Sequence, residues 1–150
     1  MARSVKPIPD GFRSITPYLA VDDADSLIQF LKKAFGAKEV QRATRPDGTV
    51  SYAVVRVGDS MVEVADARPP WEPMRAAVHL YVSDTDHVYD KALRAGAVSL
   101  SAPSDLFYGE RGATVRDPCG NHWHISTRIE LLTPEELERR QAAYYRQHAH

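Results

Sequence analysis

Apolar residues at Leu27, Phe30, Leu31, Ala34 and Phe35 recur at i, i+3, i+4, i+7 and i+8, which puts one buried stripe on a helix. Asp22 or Asp23 caps its start and Gly36 ends it. On either side the period falls to two. Ile15–Val21 reads as a strand in which Pro17 must sit at an edge or where no ladder donor is needed. Lys38–Thr44 is a weaker strand, followed by Tyr52–Val57 and Met61–Ala65, with turns at Pro46–Gly48 and Gly58–Asp59. These three strands form an antiparallel meander. Arg68–Pro73, with Pro69 and Pro70 adjacent, reads as an extended linker. The order then returns. Ala77–Val82 is a strand, and Asp84–Ala95 a helix with Val88, Ala92 and Ala95 inward. A strand near Val98–Ser101, a long loop from Ala102 to Arg111 and a strand Gly112–Arg116 follow. The turn at Asp117–Gly120 feeds a last strand, where His122, His124 and Ser126 alternate with Trp123 and Ile125. Met1–Gly11 reads as an extended leader. Thr133–His150 reads as a third helix, with Thr133 and Glu136 in a capping box and Pro134 at the first helical position.

The return is a repeat. Leu19-Ala20-Val21 and Asp23-Ala24-Asp25 reappear as Leu80-Tyr81-Val82 and Asp84-Thr85-Asp86, and Glu63 falls on His124 at the same spacing. The pattern therefore implies one α+β domain over 1–150. Two βαβββ modules, at about 12–67 and 75–130, form a curved mixed sheet around a cleft, and a C-terminal helix covers about 133–147.

Parity assigns the faces. Ile15, Leu19 and Val21 match Val78, Leu80 and Val82, while Val62 and Val64 match Trp123 and Ile125, so these face the helices. The opposite parity holds Tyr18 and Glu63 in one module and His79, Tyr81, His122 and His124 in the other. If the modules pack as pseudo-symmetric copies, these mixed faces curve round one pocket. One carboxylate and up to three imidazoles there suit zinc, nickel, iron or manganese.

Composition narrows the function. The net charge of −1 lacks the clustered basic excess of a nucleic-acid surface. Cys119 is alone, so no intrachain disulfide forms and a reducing compartment fits. No apolar run approaches membrane-spanning length and no secretory apolar core is present, so a cytoplasmic protein is expected.

The paired modules resemble the vicinal oxygen chelate superfamily, which includes glyoxalase I, extradiol dioxygenases and bleomycin-resistance proteins. Ile15-Thr-Pro-Tyr-Leu-Ala-Val-Asp22, Phe107-Tyr-Gly109 with Arg111, Asp117-Pro-Cys-Gly-Asn-His-Trp123 and Thr133-Pro-Glu-Glu136 are similar to its PhnB-like branch. The resemblance puts metal ligands on the first and last strand of each module. Glu63 and His124 hold last-strand positions, whereas the first-strand positions, Thr16 and Ala77, are poor ligands. His79, two residues from Ala77 on the same face, is the substitute, giving a Glu63, His79, His124 triad.

Two functions follow. One is a divalent-metal-dependent lyase, isomerase or dioxygenase, with Glu63 as the catalytic proton carrier. The other is a metal-free protein that sequesters an aromatic or cationic small molecule, a drug or metabolite. Tyr18, Tyr81, Phe107 and Tyr108 would then be its walls, and Glu63 its charge partner. Arg111 and His122 complete the expected substrate contacts. Phe107, Tyr108 and Arg111 form a lid over the pocket, or pack the loop against its mouth. Leu137, Gln141, Tyr144 and Tyr145 form a narrow stripe that, with the resemblance, implies a homodimer. Cys119, in a turn with no base fixed beside it, reads as a structural thiol, and Trp123 as core.

Overall fold

The computed structural model describes residues 4–149. Its elements are β1 (Tyr18–Val21), α1 (Ala24–Phe35), β2 (Lys38–Thr44), β3 (Val50–Val57) and β4 (Ser60–Asp66), then β5 (Ala77–Tyr81), α2 (Thr85–Arg94), β6 (Val98–Leu106), β7 (Glu110–Arg116), β8 (His122–Arg128) and α3 (Pro134–Gln147). Two four-stranded sheets result, ordered β1-β4-β3-β2 and β5-β8-β7-β6. In each, the first strand runs parallel to the last and the remaining pairs are antiparallel. Two βαβββ modules and a C-terminal helix are thus present.

Local chemistry explains the helices. The Asp23 carboxylate accepts the Ser26 N–H at 3.1 Å, and Leu27, Ile28, Phe30, Leu31 and Ala34 are buried. Gly36 adopts φ +65° and Ala37 N–H donates back to the Leu31 carbonyl at 3.2 Å, closing the helix. The Asp84 and Thr133 side chains accept the N–H groups of His87 and Glu136, both at 3.1 Å, and so start α2 and α3.

One core joins the modules through the helix layer. It contains Leu19, Val21, Val62 and Val64 from the first module, and Val115, Trp123 and Ile125 from the second. The Phe35 ring lies 5.0 Å from Trp123, so the end of α1 packs on the second sheet. The apolar parity faces this core in both modules, with one exception. Ile15 is 87 % exposed, because β1 starts only at Tyr18. Pro17 has no N–H to give a ladder, and contributes only its carbonyl, to Glu63 N–H at 2.9 Å.

The Asp117 turn is organised by one carboxylate. Oδ1 accepts Cys119 N–H at 2.8 Å and Asn121 N–H at 3.0 Å, while Oδ2 accepts Trp123 Nε1–H at 2.8 Å. Asn121 Oδ1 then accepts Ala76 N–H at 2.9 Å, which fixes the start of β5.

The expected long loop from Ala102 to Arg111 is a hairpin instead. β6 continues to Leu106 and pairs with β7 through Leu106 and Glu110, with register shifts between Ser99 and Ser104. Those irregularities absorb Pro103, which hides the strand in the sequence. The tip closes at Gly109, φ +85°, whose carbonyl accepts the N–H groups of Ile129 and Glu130. Of the expected leader, Met1–Arg3 lie outside the described residues, as does His150 of the tail.

Candidate functional site

The polar chemistry gathers on the open face of the second sheet. Register places His79 beside His124, and His124 beside Thr114. The two imidazoles stand 6.2 Å apart, ring centre to ring centre. His79 Nε2 is hydrogen-bonded to Ser126 Oγ at 2.9 Å, and His124 Nδ1 to Thr114 Oγ1 at 3.0 Å. Each ring keeps its second nitrogen for another partner. The Tyr81 ring stacks on His79 at 4.4 Å.

Both histidines, Thr114 and Ser126 line a cavity of about 350 Å³. Its walls are His79, His124, Thr114 and Ser126 on the sheet, Leu106 and Tyr108 at the hairpin, and Ser101 and Ser104 along β6. Sites for small ligands run from roughly 300 to 1,000 Å³, so this one takes a compact molecule. Gly112 forms part of the floor. A Cβ there would lie 2.9 Å from Leu106 Cδ1 and 3.3 Å from Ser126 Oγ.

The first module has its own hollow, of about 610 Å³, between Tyr18, Ala20, the linker residue Trp71 and Met74 just after the linker. It is larger and more apolar, but it holds no histidine. A third, of about 180 Å³, lies between the modules and brings Thr16 and Met61 to His79 and Leu80.

Glu63 sits on β4 beside Tyr18. The Tyr52 hydroxyl donates to its carboxylate. That bond, together with burial, pushes the phenol up to about 12. Glu63 lines neither the 350 Å³ nor the 610 Å³ cavity. Among the described residues no three His, Cys, Asp or Glu side chains converge as a metal set. Within one chain, therefore, His79 and His124 come together and Glu63 does not join them as a ligand.

The other expected contacts divide. Tyr81 and Tyr108 flank the histidine cavity. Phe107 packs 4.7 Å from Tyr144 on α3, so it holds the hairpin tip to that helix. His122 lies at the far end of the same face, opposite Ala77 and Arg116, and is exposed. Arg111 is a correction to the expected lid. It belongs to β7 and takes the parity opposite to Gly112 and Thr114, so it points to the helix side. There it binds Asp86 at 3.0 Å and Asp105 at 2.9 Å. Cys119 is a poor nucleophile, since burial and then Asp117 push its thiol up to about 11.

Sequence reasoning passed over Thr114, Glu110 and Tyr52. Thr114 and Glu110 share the parity of Gly112 on β7; Glu110 is hidden because its stretch reads as loop, whereas the parity of Thr114 already stands in the expected strand Gly112–Arg116. Tyr52 lies two residues from Val54, the register partner of Glu63, so strand pairing alone would have found it.

A family model described as the Glyoxalase/Bleomycin resistance protein/Dioxygenase superfamily matches residues 12–125. An uncharacterised protein of Mycobacterium tuberculosis is 32% identical over 149 residues, covering 92% of this chain and 84% of the relative. Among solved structures, TioX from Micromonospora sp. ML1 is similar at 26% identity and TM-score 0.64, over 81% of this chain and 100% of that one. A gene product from Arabidopsis thaliana shares the fold at 23% identity and TM-score 0.64, over 77% of this chain and 98% of that one.

Proposed function

Because the chain belongs to the glyoxalase/bleomycin resistance protein/dioxygenase superfamily, we propose that it binds a small metabolite or drug in the cavity beside His79 and His124. The observation that carries this is the pairing of two imidazoles, each with a ring nitrogen to spare, in a hollow of ligand size walled by Tyr108 and Leu106. The spare nitrogens and the hydroxyls of Ser101 and Ser104 fix the polar end of a ligand, and the hairpin tip covers its body. The Ile15–Asp22, Asp117–Trp123 and Thr133–Glu136 motifs support placement in the PhnB-like branch. The balanced charge and lone cysteine support a cytoplasmic site of action.

Ser104→Trp tests the reading. Ser104 is exposed and lines the cavity, so an indole there fills the hollow without entering the core. A fragment library is screened by ligand-observed NMR against the wild-type protein and the variant. Fragments lost on substitution confirm the site. A library whose every binder survives Ser104→Trp refutes it.

A second reading is favoured by the Tyr52–Glu63 bond, which orients a carboxylate on an open sheet face. In a homodimer that lays the first module of one copy on the second module of the other, Glu63 would meet His79 and His124. That set suits one zinc, nickel, iron or manganese ion. A bound ion would supply Lewis acidity for a lyase, isomerase or dioxygenase reaction. Among the described residues, the donors of one chain do not by themselves fit such an ion. Sedimentation with and without added metal decides this reading. A protein that stays monomeric, with less than a tenth of an equivalent taken up, removes it.

A further inference from the structure

The Tyr81 phenol spans β8 and donates to Glu110 Oε2 on β7 at 2.7 Å. The other carboxylate oxygen, Glu110 Oε1, is buried and accepts no hydrogen bond. Buried polar atoms almost always have a partner, so an orphan beside a cavity points to a missing donor. Glu110 shares the face of β7 with Gly112 and Thr114, both of which line the histidine cavity, and stands one pleat beyond Gly112, just outside that lining. Tyr108, two residues back along the hairpin, is another wall of that cavity. Arg128 stands opposite Glu110 in the β7–β8 register, yet Oε1 takes no bond from it. Glu110 is half-buried and Tyr81 is 59% exposed, so the pair stands at the solvent end of this face.

We propose that Glu110, framed by Tyr81 and Tyr108, recognises a cationic N–H group, and that the molecule taken up beside His79 and His124 is an amine. This rests on the small-molecule reading of the cavity and names its ligand class. An ammonium N–H supplies the donor that Oε1 lacks, and the two phenol faces attract the positive charge. A carboxylate ligand would meet Glu110 uncompensated and be repelled.

The test uses four probes with one phenyl body: phenethylamine, its N,N,N-trimethyl analogue, 2-phenylethanol and 3-phenylpropionate. Each is titrated at pH 7 into the wild-type protein and Glu110→Gln. Phenethylamine is expected to bind at least tenfold more tightly than the alcohol or the acid, and Glu110→Gln to remove at least tenfold of that preference. The trimethyl analogue, which has no N–H, should fall between amine and alcohol. Alcohol or acid binding as well as the amine overturns the proposal while leaving the cavity reading intact. No binding by any probe below roughly 10 mM overturns both. Urea unfolding of Glu110→Gln separates a structural role. A variant that is less stable but keeps the amine preference assigns Glu110 to its structural bond with Tyr81, and the proposal fails.

Discussion

Asp117→Ala should cost far more than a surface carboxylate would. The side chain is 3% exposed and its two oxygens serve Cys119 N–H, Asn121 N–H, Asn121 Nδ2–H and Trp123 Nε1–H. Trp123 is 1% exposed and Asn121 0%, so their donors cannot turn to water once the acceptor is gone. Each stranded buried donor costs about 1–3 kcal/mol. Three such donors, Asn121 N–H, Asn121 Nδ2–H and Trp123 Nε1–H, would cost about 3–9 kcal/mol, and partial relaxation brings the loss to about 3–5 kcal/mol, set against a total of about 5–15 for a domain. Urea unfolding followed by tryptophan fluorescence measures it, in a Trp71→Phe background because Trp71 is 74% exposed and would obscure the signal. The control is an Asp117→Asn protein, which keeps an acceptor and should lose less. The consequence reaches the site, because Asn121 also holds Ala76 at the start of β5, three residues before His79. Ligand affinity should therefore fall with stability. A loss below about 1 kcal/mol with unchanged denaturant dependence would refute the account of this turn as the support of β5.

Two further outcomes follow from the site. Gly112→Ala drives a methyl group against Leu106 and Ser126, so it should break the His79–Ser126 bond, weaken ligand binding severalfold and cost about 1–2 kcal/mol, as read from titration and urea unfolding. Tyr52 should be a late-titrating tyrosine: held near 12 by Glu63, it contributes stability that is intact below the unfolded value near 10 and is lost as pH rises from 10 to 12. An ultraviolet titration of Glu63→Gln should bring that transition back towards 10, and an unmoved transition would show that another group raises it.

Much of the fold is written in short-range patterns. The α1 stripe, the aspartate and threonine caps, the glycine stop and the alternation in β8 all depend on neighbours within a turn or a pleat, so the residues announce them. The internal repeat announces the second module in the same way. The hairpin at Leu106–Glu110 was less legible, since Pro103 and the bulged register around it break the period-two signal. Arg111 reads as part of that loop, as lid or packing, for the same reason, because a residue read as loop has no parity. Its pairing with Asp86 follows once β7 is known to begin at Glu110.

The one-dimensional pattern settles which face of each strand is greasy, because side-chain direction on a pleat is a local property. It does not settle what the other face meets. Glu63 and His124 occupy equivalent places in the two repeats, yet within one chain their sheets share a core through the helices and Glu63 stays out of the cavity that His124 lines. Likewise the bond from Tyr81 to Glu110 crosses an intervening strand from a position 29 residues away. Such meetings depend on how whole modules and strands are set against each other, a long-range balance of packing that no short stretch of sequence encodes.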